Sequence, residues 1–479
     1  IGDFFAMDQI EFGTDGIRQK AGQWPIDVIG AQKVGLGVGR YLHEKYSSPK
    51  IVIGRDTRIS GDMLCGAINS GLLSYGVDVL DVGVITTPGV AYLTRAKNAE
   101  MGIIISASHN HWTENGIKLI GSDGFKLPDD VEQVIERYVN EALCSDMSEC
   151  GRLLHNDAWT DEYIEHLITP FKKLDFSKLS VVLDCANGAA SNIAPCCFEL
   201  LGSKTIILNN NPSGTNINLD SGSEVVRGGR GMLIPTVTKE NCHFGVAYDG
   251  DADRAIFVDE LGKLVDGDNA IFIIASHLKK KGALHGDAVV TTEMANLGLE
   301  NALTPIEIKT HYTKVGDKYV VSKMRQEGFV VGGEQSGHII ILDDEHTTGD
   351  GIYTSLYLAS ILLQSPDLSL HTVSSTLVKL PQVIASARVT QKKPLEEIVA
   401  FVTERDRIKN LLGKDAILNT RYSGTEPMLR VMIQASVDNS LSDLAQHAIK
   451  LCQIVQTATN PAENWIEVKD CTTGEVIKY

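Results

Sequence analysis

Residues 51–106 read IVIGRDTRISGDMLCGAINSGLLSYGVDVLDVGVITTPGVAYLTRAKNAEMGIIIS. Short apolar runs, IVIG at 51–54, VDVLDVG at 77–83 and MGIIIS at 101–106, alternate with two stretches of helical length, GDMLCGAINSGLLSYG at 61–76 and TPGVAYLTRAKNA at 87–99. Strands that alternate with helices form βαβ units, and such units build a mostly parallel sheet. The segment that follows, SASHNHWTENGIK, therefore leaves the end of a buried strand.

Working outward, PDDVEQVIERYVNEAL places Val131, Val134, Ile135, Tyr138, Val139 and Ala142 on one helical face, with acidic residues at its start. A second α/β block begins with VVLDCANG at Val181 and runs through NIAPCCFELLG to FGVAYDGDADRAIFVD. A third runs from DGDNAIFIIASHLKK to GFVVGGEQSGHIIIL. The tail differs: QVIASARVT, AILNTRY and MLRVMIQAS read as strands, PLEEIVAFVTERD and LSDLAQHAIKLCQIVQ as helices, giving a smaller α+β domain. The expected domains span residues 1–160, 161–260, 261–372 and 373–479. A chain of 479 residues exceeds what one core supports, which agrees with several domains. The three α/β blocks look related, although no clean internal sequence repeat is visible. Met7 is the expected native start, with residues 1–6 set aside as a leader.

The net charge of −17 disfavours nonspecific binding to nucleic acid or an anionic membrane, both of which need a basic surface. No apolar run approaches the ~20 residues that span a bilayer. Nine irregularly spaced cysteines with no CxxC pair fit reduced thiols and a cytoplasmic location.

Between the runs FGVAY and AIFVD stands DGDADR, with Asp249, Asp251 and Asp253 at alternate positions. Three carboxylates on a glycine-containing turn can converge on one hard divalent cation. An acidic surface turn is the plainer alternative. An EF-hand is excluded, because loop position six is Arg254 where glycine is required, and β-type runs flank the loop although Glu260 occupies position twelve. Three short ligands leave room for a substrate or a phosphorylated side chain, which suits Mg²⁺ in phosphoryl transfer.

In RYSGTEP, Arg421, Ser423, Gly424 and Thr425, with Arg430 just beyond, offer backbone N–H groups, hydroxyls and forked donors that match phosphate oxygens. In GGEQSGH, glycines permit a sharp turn, and Glu334 and Ser336 point the same way, where they can bond adjacent sugar hydroxyls. His338 reads equally as an acid or base and as a structural histidine. Ordinary hairpin turns are the alternative for both segments. In SASHN, Ser106 and Ser108 face the same way on an extended segment, and a serine needs activation to act as a nucleophile. The GxSxG elbow of a serine hydrolase is absent, so assistance by a cation at DGDAD is the more coherent reading.

Together with FGTDGIR at 12–18, GRDTRISG at 54–61, NGIK, VGDKYV, TTGDG and LPQV, these loops in this order resemble the α-D-phosphohexomutase family, and within it the bacterial branch that acts on glucosamine phosphates. The resemblance spans nearly the whole chain. It implies three similar α/β domains with mixed, mostly parallel sheets and a smaller C-terminal α+β domain around a central cleft. It also implies an isomerase that interconverts glucosamine 6-phosphate and glucosamine 1-phosphate, feeding UDP-N-acetylglucosamine and cell-wall synthesis. By the same resemblance Ser108 carries the phosphoryl group and shares one Mg²⁺ with Asp249, Asp251 and Asp253. A glucose- or glucosamine-1,6-bisphosphate acts as activator, and a homodimer is allowed. Glu334 and Ser336 grip the sugar; Arg421, Ser423, Gly424, Thr425 and Arg430 hold the non-reacting phosphate; Arg18, Lys118 and Arg254 are cleft cations. Lys118 and His338 both remain candidates for proton transfer. Gln335 favours the glucosamine branch, since glucose and mannose relatives carry methionine there. Action on glucose or mannose phosphates is the alternative; a phosphatase and a non-catalytic sugar-phosphate-binding protein are remoter ones. Two residues depart from the family pattern: His111 replaces a proline after SHN, and Lys318 replaces an arginine in VGDKYV.

Overall fold

The computed structural model describes residues 9–13, 15–141, 150–413, 416–423, 427–460 and 464–478. The expected start at Met7 and the helix-face residue Ala142 lie outside them, as do Gly424 and Thr425 of the expected phosphate loop.

The alternation over 51–106 becomes a parallel ladder. Lys50–Arg55 lies between Asp78–Val84 and Met101–Ile105, parallel to both, with helices Gly61–Ser74 and Thr87–Ala96 as crossovers. The central strands carry continuous apolar runs because helices cover both faces of a parallel sheet. Four sheets follow one another along the chain, with six, five, four and four strands.

Each of the first three sheets pairs parallel strands at its centre and then turns back through an antiparallel hairpin. In the first the hairpin is Met101–Ile105 with Glu114–Gly121, in the second Phe244–Tyr248 with Ala255–Asp259, in the third Val331–Gly333 with Ile339–Ile341. The serine, acidic and GGEQSGH segments are the connections of these three hairpins. The repeat that is invisible in the residues is thus plain in the topology. Strands on both sides of DGDAD also dispose of the EF-hand, which needs helices there.

The fourth sheet is wholly antiparallel, ordered Ile417–Tyr422, Met428–Gln434, Gln382–Arg388, Ile466–Asp470, and RYSGTEP connects its first two strands. Two strands that the alternation does not announce, Ile17–Lys20 and Ile466–Asp470, complete sheet edges. The helix Asp129–Asn140 buries Ile135 and Val139 and packs Val131, Val134 and Tyr138 beside them, as its periodicity requires. One apolar cluster runs continuously from Val52 through Phe257 to Leu377, so the first three units share it, whereas residues Val383 to Val468 form a separate core of the C-terminal unit. Among the described residues, no helix is long and apolar enough to cross a membrane, and no described cysteine is in a disulfide.

Candidate active site

The serine loop is held from below by one buried ion pair. Arg58 and Asp56 are both shut off from solvent, and Arg58 Nε donates to Asp56 Oδ2 at 2.9 Å. The rest of the Arg58 fork donates to the backbone oxygens of Ser108, Asn110, His111 and Glu114 at 2.5–3.0 Å. Asn218 Nδ2 adds bonds to the oxygens of Ser108 and Asn110. With its carbonyls so tied, the loop holds Ser108 at φ +53°, a region costly for a residue with a Cβ and frequent at functional turns.

The same framework separates the two serines. Ser106 Oγ donates to Asp56 Oδ2 at 2.6 Å and accepts from Ser108 N at 2.9 Å, so it is consumed structurally. Ser108 Oγ instead crosses to the second unit and donates to Asp249 Oδ2 at 2.5 Å, with His109 Nδ1 at 3.3 Å on its other side. Burial, with Arg254 nearby, holds His109 down at about 4, so its ring is neutral at pH 7. The close approach depends on Gly250, whose added Cβ would sit 2.5 Å from Ser108 O.

Asp249, Asp251 and Asp253 are buried, and one oxygen from each lies within 4.8 Å of the others. Asp251 Oδ1 and Asp253 Oδ1 are buried without a hydrogen-bond partner. Oxygen donors so placed fit a hard divalent cation such as Mg²⁺, since orphaned buried carboxylate oxygens are otherwise expensive. Burial, and then repulsion from Asp253 and Asp251, push Asp249 well above the ordinary carboxylate range, a penalty that a cation reverses. The other Asp251 oxygen is committed to the first unit: Thr87 Oγ1 donates to Oδ2 at 2.7 Å and Lys118 Nζ at 3.1 Å.

Lys118 is also 3.3 Å from Asp15. Burial opposes its charge, but Asp15 and Asp251 outweigh burial and raise its pKa. His338 stands between Asp253, 3.6 Å from Nδ1, and Asp317, 3.7 Å from Nε2. Burial again opposes, and the two carboxylates prevail, so His338 lies above the ordinary histidine value. Arg18 reaches Ala107 O at 3.5 Å and pairs with Asp15. Arg254 lies 3.6 Å from Glu224 and 3.8 Å from Asp253.

Glu334 and Ser336 are half-buried at their hairpin, and Glu334 Oε1 accepts from Gly316 N at 3.1 Å. Across the last sheet, Arg421 and Arg430 are directly opposed in register. Like charges so placed destabilise a hairpin. Burial and then the Arg430 charge lower the pKa of Arg421, whereas Glu293 and Glu334 favour its charge. A phosphate dianion would relieve that repulsion. Ser423 N donates to Met428 O at 2.8 Å and closes this turn.

Four phosphoglucomutase/phosphomannomutase domain families match in order: alpha/beta/alpha domain I over residues 9–144, domain II over 161–262, domain III over 266–382 and the C-terminal domain over 385–451. The phosphoglucosamine mutase of Carboxydothermus hydrogenoformans is 44% identical over 434 residues, covering 89% of this chain and 95% of that protein. The chain belongs to the phosphohexomutase family, in its phosphoglucosamine mutase branch. As a phosphohexomutase it is an isomerase. A phosphoglucomutase/phosphomannomutase family protein from Burkholderia thailandensis shares the fold at 22% identity with a TM-score of 0.75, covering 94% of this chain and 98% of that one. The Aspergillus fumigatus N-acetylphosphoglucosamine mutase, solved with GlcNAc-6P and magnesium, does so at 17% identity and 0.65, covering 94% and 96%.

In this phosphohexomutase the structure brings Ser108, Lys118, the three aspartates, Arg18, Arg254 and His338 into one contact network. Sequence reasoning passed over several partners. Asp56 and Arg58 stand inside GRDTRISG, Asp15 inside FGTDGIR and Asp317 inside VGDKYV, so those motifs held the signal. Thr87 and Asn218 have none, because their contacts cross units, and Glu224 has none because its partner Arg254 lies 30 residues further along the chain. Of the two departures, His111 still offers its backbone oxygen to Arg58, and Lys318 Nζ reaches Asp129 Oδ1 of the first unit at 3.1 Å.

Proposed function

We propose that the chain interconverts glucosamine 6-phosphate and glucosamine 1-phosphate through a phosphorylated Ser108. The observation that carries the reading is Ser108 Oγ at 2.5 Å from Asp249, inside an acidic cluster that leaves two buried oxygens unpartnered. Asp249, Asp251 and Asp253, with the Ser108 phosphate, would hold one Mg²⁺, which when bound neutralises phosphoryl charge. The magnesium-containing relative of similar fold agrees with that choice.

Ser108 is the phosphoryl carrier. In the forward half-reaction the P–O bond to Ser108 breaks as one forms to the sugar hydroxyl oxygen. The hydroxyl loses its proton and Ser108 Oγ gains one. The resulting 1,6-bisphosphate turns over in the cleft, and its other phosphate returns to Ser108. Lys118, paired with Asp251, and His338, beside Asp253, are the candidates to take the hydroxyl proton and to return one to Ser108 Oγ, and Arg18 and Arg254 neutralise the moving group. Glu334 and Ser336 hold sugar hydroxyls in either orientation. Arg421, Arg430 and Ser423, with Gly424 and Thr425, hold the idle phosphate. The work divides among four units, with boundaries proposed near residues 160, 260 and 372.

Intact mass after incubation with glucose 1,6-bisphosphate tests the carrier: a phosphate-sized gain, absent from Ser108→Ala, is expected together with mutase turnover. Undiminished turnover in Ser108→Ala would overturn it. Glucosamine 6-phosphate and glucose 6-phosphate are then compared as substrates, and a clear preference for glucose 6-phosphate would replace the glucosamine assignment with the glucose or mannose one.

A further inference from the structure

Gln335 lies between the two sugar-gripping residues, yet its side chain turns away from them. It is 6% exposed, and its Nε2 donates to Oε1 of Gln382 at 3.2 Å. Gln382 is fully buried and opens the strand Gln382–Arg388 of the C-terminal sheet. Its Oε1 also accepts from Asn296 Nδ2 at 3.3 Å, and its Nε2 donates to Met294 O at 2.9 Å. Every hydrogen-bonding atom of the Gln382 amide thus points to the third unit.

The surroundings make a closed seam. Asn296 grips the connecting segment at both polar atoms of one residue, accepting from Leu380 N and donating to Leu380 O, each at 2.9 Å. Just before it, Lys379 Nζ is 2.6 Å from Asp266 and 3.0 Å from Asp268, and Asp268 Oδ2 accepts from Asn296 N at 2.9 Å. The backbone oxygen of Gln335 accepts from Gly267 N at 3.1 Å, at the start of the helix capped by Asp266. Gln335 is therefore fixed at its main chain to the third unit and at its side chain to the fourth.

The strand beginning at Gln382 pairs with the strand that carries Arg430, placing Ser386 opposite it. We infer that Gln335 is a positioning residue, whose bond to Gln382 sets the separation between the sugar grip at Glu334 and Ser336 and the phosphate clamp at Arg421 and Arg430. This inference rests on the proposed function of those two groups. The Gln335 amide does not select the amino group of the sugar by contact. A buried amide pair suits a seam that must hold one geometry, because the pair contributes little net energy while an amide left unpaired there is penalised.

The test compares Gln335→Met, Gln382→Met and the double variant in steady-state turnover of glucosamine 6-phosphate and glucose 6-phosphate. Hydrogen exchange at the Leu380 and Gly267 amides is followed in the same proteins. Each single variant is expected to raise KM for both substrates about fivefold, the size of one buried hydrogen bond, with a smaller effect on kcat. The ratio of kcat/KM between the two sugars stays within about twofold of the parent, and the double variant is no worse than the more impaired single one. Exchange at Leu380 and Gly267 accelerates whichever sugar is preferred. This arm therefore stands even if the substrate assignment fails. A shift of about tenfold or more in the sugar ratio on Gln335→Met would make Gln335 a direct specificity contact and overturn the inference. Additive effects in the double variant, or unchanged exchange at both amides, would overturn it equally.

Discussion

Thr87 Oγ1 donates to Asp251 Oδ2 at 2.7 Å, and the Thr87 amide donates to Asp251 O at 3.0 Å. The first helix turn of one crossover thereby aims a carboxylate of the next unit, leaving Asp251 Oδ1 for a cation. Thr87→Val keeps the shape and removes the hydroxyl. Supporting groups of this kind typically tune affinity by 10–100-fold, so the Mg²⁺ dependence of activity and the Mg²⁺-induced rise in Tm should both move to about tenfold higher concentration. Unaltered Mg²⁺ midpoints in both measurements would dissociate Thr87 from the site.

Arg58 serves five acceptors with one planar fork. A lysine supplies a single point of charge and cannot reach them all. Arg58→Lys is expected to lose about 2–3 kcal/mol of stability and most of the phosphorylation at Ser108, read by thermal unfolding and intact mass. Parent-like phosphorylation would show that the serine loop holds its form without the clamp.

Gly250 is where the backbones of the serine and acidic loops come close, and a Cβ there meets Ser108 O at 2.5 Å. Gly250→Ala must part the loops by roughly an ångström. Because misplacement on that scale costs about 10²-fold in rate, kcat should fall by that order while KM changes little. An alanine variant with parent kcat would mean that the loops need not approach this closely.

Gly474 carries φ +69°, and a Cβ on it would lie 2.0 Å from Arg227 O of the second unit. This turn is where the C-terminal unit meets the second unit, against the backbone of Arg227 and Gly228. Since that unit has its own core, Gly474→Ala should raise KM several-fold, widen the particle in small-angle scattering and leave Tm nearly unchanged. An unchanged KM with unchanged scattering would show that this contact does not set how the C-terminal unit sits on the second one.

Glu132 faces the seam between the first and third units. Burial lifts its carboxyl from 4.5 to about 7, with Lys318 opposing and Asp129 adding to the rise. A raised acid favours the neutral form in the folded state, so its contribution is full below pH 4.5 and is lost as pH climbs through about 7. Glu132→Gln should match the parent at pH 4 and exceed its Tm by about 1–2 °C at pH 8. A gain of the same size at both pH values would assign the effect to something other than titration.

The element types were legible because the signals for them are local. Alternating apolar runs and helical spacing over 51–106 report burial on two faces or one, and the ladder of Lys50–Arg55 with its neighbours follows directly. DGDADR announced its chemistry for the same reason: three carboxylates at alternate positions are already neighbours in the chain, and their ligand atoms do converge. Ser106 and Ser108 are also neighbours, but their environments are not. The bond that distinguishes Ser108 reaches across 141 residues to Asp249, and the one that retires Ser106 reaches back 50 to Asp56. Gln335 belongs to the same class, since its spacing puts it in the sugar loop while the packing of two units turns its amide to Gln382. Residue order alone was enough for the strands and helices of the alternating blocks and for the acidic turn, but not for the edge strands Ile17–Lys20 and Ile466–Asp470. Packing between units chose which serine faces the carboxylates, which threonine aims one of them and which residues join the units. Those choices rest on hydrogen bonds between distant segments, whose geometry no local periodicity encodes.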